Sequence, residues 1–159
     1  MEQMQDDYLA IFAETLEKHI GEMTGLVCKK GQATVQPATL ASAGVAVVIG
    51  VTGSKRGRVI LDVGRETAKK LADLVDGETY DINDEFITYT IAELTNIVAG
   101  QAITVINNME KGLSLRLTPP SIFFGDKLFL TSPKVEAKVI IVSTPEGDIG
   151  FSVGFEGGR

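Results

Sequence analysis

The chain has 159 residues, 44% of them hydrophobic and 23% charged, with a net charge of −6. That length suits one domain, 1–159, with a real core, and the acidic balance argues against binding nucleic acid or an anionic membrane. No apolar run approaches the roughly 20 residues that span a bilayer, and a single cysteine and a single histidine exclude an internal disulfide and histidine-rich metal sites and make a catalytic triad improbable.

The chain opens on "MEQMQDDYLA", acidic where a secretory signal would be basic, so a cytoplasmic protein is expected. Leu9, Phe12, Leu16, Ile20 and Met23 recur at helical spacing and predict a helix over 3–24. A loop follows over 25–40, broken by Gly31 and Pro37. "GVAVVIGVTG" and "RVILDV" are strands joined through the turn "GSKRG". "RETAKKLADLV" is a short amphipathic helix that Gly77 ends. Asp81 and Asn83 in "DINDE" are N-cap candidates for the longest helix, which runs to Met109 and is closed by Gly112. "LSLRL" is a strand, and "PPSIFFGDKLFLTSP" a loop and a strand in which Phe123 and Phe124 read as core. "KVEAKVIIVST" and "GDIGFSVGF" make a final hairpin across "PEGD", and only the terminal "GGR" reads as frayed. His19 reads as a packing or surface residue, Cys28 as a small core or loop filler, and Asn107 and Asn108 as polar residues of a helix end. A faint echo links "HIGEMTGL" with "VINNMEKGL". Each ends a helix and precedes a proline, as two related halves would.

The segment "IAELTNIVAGQAI" carries the chemistry. At about 100° per residue, Leu94, Val98, Ala102 and Val105 fall within about 60° of Ile91 and form the core stripe. Tyr89, Glu93, Asn96, Gly100 and Asn107 gather on the opposite side. A mid-helix glycine costs about 1 kcal/mol relative to alanine; on an open face it lets another surface approach the backbone. Such a face can be solvated and nothing more. It lacks a second acid for a carboxylate pair and offers few hard metal ligands.

Pro119 follows Asn96 after a gap of residues 97–118. Together "AELTNIVAG…TPPSIFFGD" resembles the E-x-x-N…P signature of the CheC/CheX/FliY phosphatases of bacterial chemotaxis. "VVIGVTGSKRGRVILDV" is similar to that family's first hairpin. The single intact motif resembles CheX rather than CheC, because the first helix has Glu14 and Glu17 where an asparagine is needed. Tyr89 departs from the Asp or Ser that the fuller motif often carries four residues before its glutamate.

The resemblance implies an α/β fold: an antiparallel sheet covered by the first and third helices, with pseudo-two-fold halves. It implies a homodimer, and hydrolysis of the aspartyl phosphate on a CheY-like response-regulator receiver. Asn96 would position the attacking water and Glu93 would pair with a cation of the receiver. Gly100 and Tyr89 would border the contact, and Pro119 would shape the following loop. No cofactor of its own is implied; Mg²⁺ would arrive on the receiver. The same fold could instead dock a receiver or flagellar-switch partner without turnover, or serve as a structural sheet-dimer adaptor.

Overall fold

The computed structural model describes residues 2–131 and 135–156, with side chains from residue 7 onward. The expected frayed "GGR" and the Lys134 start of the last hairpin lie outside these residues. Helix α1 (Glu2–Thr24) leads through the short strands β1 (Lys29–Lys30), β2 (Thr34–Val35) and β3 (Thr39–Ala41) to the hairpin β4 (Gly44–Gly53) and β5 (Gly57–Gly64). Helix α2 (Arg65–Asp76) then connects to the long α3 (Glu85–Met109). The chain continues through β6 (Leu115–Leu117), β7 (Ser121–Phe124) and β8 (Phe129–Thr131) to the hairpin β9 (Val135–Thr144) and β10 (Gly147–Glu156).

All pairings are antiparallel. The sheet runs β1-β9-β10-β5-β4-β6, with β2 also on β9 and β7 also on β4. Each half therefore sends its two short strands onto the other half's hairpin. Lys30 lies opposite Val142 and Thr34 opposite Val139; Leu117 lies opposite Val51 and Ser121 opposite Val48. The third short strands meet each other, Leu40 opposite Leu130, as a separate ribbon. This exchange is a pseudo-two-fold, and it gives the echo between the helix ends a structural basis.

The hydrophobic core fills the space between the sheet and its helices. Val47, Ile49, Leu61, Val63, Val142, Ile149, Phe151 and Val153 point into it from the strands. Phe12 of α1 stacks on Phe151 at 5.4 Å, and Tyr8 meets Phe155 edge-on at 5.9 Å. The turn between β4 and β5 needs glycine at Gly53, where φ is 94° and a Cβ would overlap the Ser114 carbonyl oxygen. Gly77 ends α2 in the left-handed conformation, its N–H reaching the Asp73 carbonyl.

Several expectations need correction. Met23 and Val105 are not core; Val105 is 46% exposed and borders a surface groove between α1 and α3. The buried stripe of α3 is rotated toward Ala92, Ala99 and Ile103, because the helix must also cover α1 and α2. Phe123 and Phe124 are exposed, Phe124 at 67%, since β7 is short and borders β4 at the margin of the sheet. The N-cap of α3 is Asp84, which accepts from Phe86 N at 2.9 Å. Asp81 instead closes a turn by accepting from Asn83 N. Asn107 is turned inward, donating to Leu115 O and accepting from Leu115 N at 3.0 and 2.9 Å. It acts as a strand partner for the chain entering β6. Cys28 packs against the core, and burial, then Glu17, pushes its thiol pKa up.

Phe151 is fully buried at the centre of the sheet. Phe151→Ala is expected to destabilise the fold by about 3–5 kcal/mol, read as a lower urea midpoint.

Candidate functional site on the outer face of the long helix

The backbone of α3 is fixed by its buried face. Ile87, Ile91, Leu94, Val98, Ala102 and Ile106 are buried beneath it, and buried Thr95 returns its hydroxyl to the Ile91 carbonyl at 2.7 Å. The opposite face is left to solvent. Glu93 and Asn96 are both exposed, one turn apart. Neither side chain makes a hydrogen bond or ion pair to another described residue, so both are available to an external group. At Gly100 nothing lies within 4 Å of where a Cβ would stand. The expected face of carboxylate, amide and bare backbone is therefore present.

Tyr89 belongs to the same face and is 52% exposed. It lines an open groove with Glu93, Thr90, Phe86, Tyr80 and Asp76. Pro119 does not line that groove. It is exposed in the connection between β6 and β7, where Thr118 N donates to Gly50 O at 2.9 Å and Gly50 N donates to the Thr118 hydroxyl at 2.8 Å.

The groove's floor is wired in place by the loop between α2 and α3, which sequence reasoning left without a role. Asp73 Oδ1 accepts from Tyr80 N at 2.8 Å. Hydrogen bonds from Lys69 and then from Tyr80 hold the Asp73 carboxyl below its usual pKa. Asp76 Oδ2 accepts from the Tyr80 hydroxyl at 2.8 Å and from the Thr90 hydroxyl at 2.6 Å. The bond to Asp76, ahead of burial, pushes the Tyr80 hydroxyl up to about 12, so it stays neutral. Arg65 donates to Asn83 Oδ1 at 2.7 Å. The signal in the sequence was the aromatic run Tyr80, Phe86 and Tyr89 at a helix entrance, where polar residues prevail.

The pseudo-two-fold allows a direct test for a second site. The buried stripe Tyr8, Leu9, Phe12, Ala13, Leu16 and Ile20 of α1 matches Leu94, Thr95, Val98, Ala99, Ala102 and Ile106 of α3. In that register Glu93 corresponds to Asp7 and Asn96 to Ala10. The expected comparison with Glu14 and Glu17 was displaced along the helix, because it used sequence likeness without the core register. The outcome is unchanged: α1 lacks the amide.

An antiparallel sheet of exchanged halves, with one Glu-x-x-Asn pair on the outer face of its long helix, defines a protein of the CheC/CheX/FliY class. The comparisons with known proteins narrow this. The family model described as chemotaxis phosphatase CheX matches residues 45–144. The CheY-P phosphatase CheX of Thermotoga maritima is 30% identical over 112 residues, covering 70% of this chain and 71% of that protein. The chain belongs to the CheX family. Among solved structures, a chemotaxis protein CheX from Desulfovibrio desulfuricans superposes with a TM-score of 0.82 at 23% identity, over 94% of this chain and 99% of that one. The CheX of a CheX–CheY–BeF₃–Mg²⁺ complex from Borrelia burgdorferi gives a TM-score of 0.79 at 26% identity, over 96% of this chain and 99% of that one.

With open space at Gly100, Gly100→Ala is expected to stabilise the helix by about 0.5–1 kcal/mol. That corresponds to a rise in Tm of about 1–4 °C for a chain of this size, and a fall in Tm would place the residue against another element.

Proposed function

We propose that this protein hydrolyses the aspartyl phosphate of a CheY-like receiver. The carrying observation is the unpartnered Glu93 and Asn96 on a rigid helix face, in a chain whose family includes a CheY-P phosphatase. The CheX–CheY complex from Borrelia burgdorferi supports a receiver as the partner. Such receivers act in the cytoplasm, where we place the protein. A homodimer joined along exposed sheet edges is part of the same proposal, and its sedimentation mass would test it.

In the reaction a water oxygen bonds to phosphorus as the bond to the aspartyl oxygen breaks. Inorganic phosphate leaves and the receiver's carboxylate is regenerated. The transition state is loose, so deprotonating the water gains little and placing it in line gains more. A carboxylate beside the phosphoryl oxygens would be repelled by them. The neutral amide of Asn96 can hold the water without adding charge, as a glutamine does in GTPases. Glu93, one turn earlier, would pair with a cationic side chain at the receiver's active site and so set the position of the amide. Gly100 would admit the receiver's loops against the helix backbone. Mg²⁺ is expected on the receiver, where it would offset phosphoryl charge. Pro119 would act indirectly, by fixing the course of the chain between β6 and β7.

Asn96→Ala should remove the acceleration of receiver dephosphorylation, by about 10²-fold or about 3 kcal/mol of barrier. Its fold and its affinity for an activated receiver should persist. Full retained rate enhancement would refute the water-positioning role. Binding by the wild-type chain without any acceleration would make the protein a docking module.

Glu93→Lys should weaken binding of a beryllofluoride-activated receiver by more than about tenfold, since it sets like charges together at a partly desolvated contact. Calorimetric titration reads this directly, and unchanged affinity would move the interface elsewhere.

A further inference from the structure

The groove beside Glu93 has a composition that the hydrolytic step does not require. Tyr80 and Phe86 stack at 6.4 Å with their planes 17° apart, and Tyr89 meets Phe86 edge-on at 5.9 Å. Phe86 is 56% exposed. Phe86 and Tyr89 are open to solvent, with Tyr80 half-buried against the core behind them; exposed aromatic patches of this kind mark interaction surfaces. The charged residues lining the groove are Asp76 and Glu93, both anionic. Asp76 is oriented through Oδ2 by Tyr80 and Thr90, and its other oxygen has no hydrogen-bond partner among the described residues.

We infer that this groove is a second anchoring subsite for the receiver, and that it takes a lysine or arginine side chain of that receiver. The occupant is distinct from the cation assigned to Glu93. The inference rests on the receiver-binding reading above and extends it along the same helix. The long aliphatic stem would lie across the rings of Phe86 and Tyr89, and the charged head would reach Asp76. An apolar side chain alone would leave Asp76 unused, and an acidic one would be repelled by both carboxylates. The floor is pre-built, because Asp73, Asp76 and Asp84 already fix the loop and the start of α3. Little ordering is then required on docking.

The test uses the full chain and a panel of receiver domains from the same cell, activated with beryllofluoride and Mg²⁺. Phe86→Ala and Tyr89→Ala should each weaken Kd by about tenfold, as central aromatic contacts do, and raise KM for the phosphorylated receiver. Tyr89→Phe should retain affinity, because the ring and not the hydroxyl makes the contact. Asp76→Asn should weaken binding and flatten its dependence on salt. Melting curves of each variant accompany the titrations, and Tyr89→Phe with Asp76→Asn decide the matter if an alanine variant unfolds. Wild-type affinity in both alanine variants, together with rate loss in Asn96→Ala, would overturn the groove and leave the phosphatase reading standing. A wild-type chain that neither binds nor dephosphorylates any receiver of the panel would overturn both.

Discussion

The pairing of β5 with β10, from Ile149 opposite Val63 to Phe155 opposite Gly57, joins the two halves of the chain. Each half alone is a helix and a hairpin with three short strands that its own hairpin does not pair. The seam brings the hairpins side by side, so those strands find partners across it. Around the seam the sheet is covered on both faces. Val59, Leu61, Phe151 and Val153 face the helices, while Ile60 and Ser152 line a cavity with Leu40 of the ribbon. Strands buried on both faces read as continuous apolar runs, which is why "GVAVVIGVTG" shows so little alternation. The position of α3 follows from the seam, and its outward face follows from α3.

Long elements with a strong period were legible in the sequence, as was the short β6 within "LSLRL"; the short strands before β4 were not. The hairpins and all three helices were recoverable from apolar pattern and glycine punctuation. The strands Lys29–Lys30, Thr34–Val35 and Thr39–Ala41 are too short to carry a period, and pairing with β9 or β8 defines them. Met23, Val105, Phe123 and Phe124 were misplaced for one reason. Hydrophobicity reports that a side chain can be buried, whereas the extent of the sheet beneath it decides whether it is. The outward placement of Glu93, Asn96 and Gly100 was legible from azimuth, whereas their proposed roles came from the resemblance of the motif spacing. The groove was not, because Asp76 and Tyr80 reach it from the preceding helix and loop, and no helical wheel contains them.

The two halves also show where likeness is kept and where it is lost. Six buried positions of α1 and α3 correspond, down to the alanine pair Ala13 and Ala99, since both helices must fit against the same kind of hairpin. The outward positions diverge. Ala10 stands where α3 has Asn96, so the proposed chemistry belongs to one half and the other half is scaffold. Packing constrains the inner stripe of each helix at several kcal/mol per large side chain. Solvent-facing positions are worth a few tenths. An amide can therefore be gained or lost on the outer face with little effect on the fold, and fold likeness alone does not say which half is active.

Charge sets the remaining constraint. The chain carries −6, and the proposed substrate bears an anionic phosphoryl group, which an acidic chain repels. That repulsion is screened beyond about 8 Å at physiological salt, whereas contacts within the interface are not. Local complementarity must then supply both affinity and orientation. This explains why the group nearest the phosphorus would be an amide, with the carboxylate displaced by one turn toward a cation. It also favours placing that pair on a helix rather than a loop. With the α3 backbone held by its buried stripe, only the side-chain torsions of Asn96 remain to be settled when the receiver arrives, and the contact made by Glu93 settles where the amide stands.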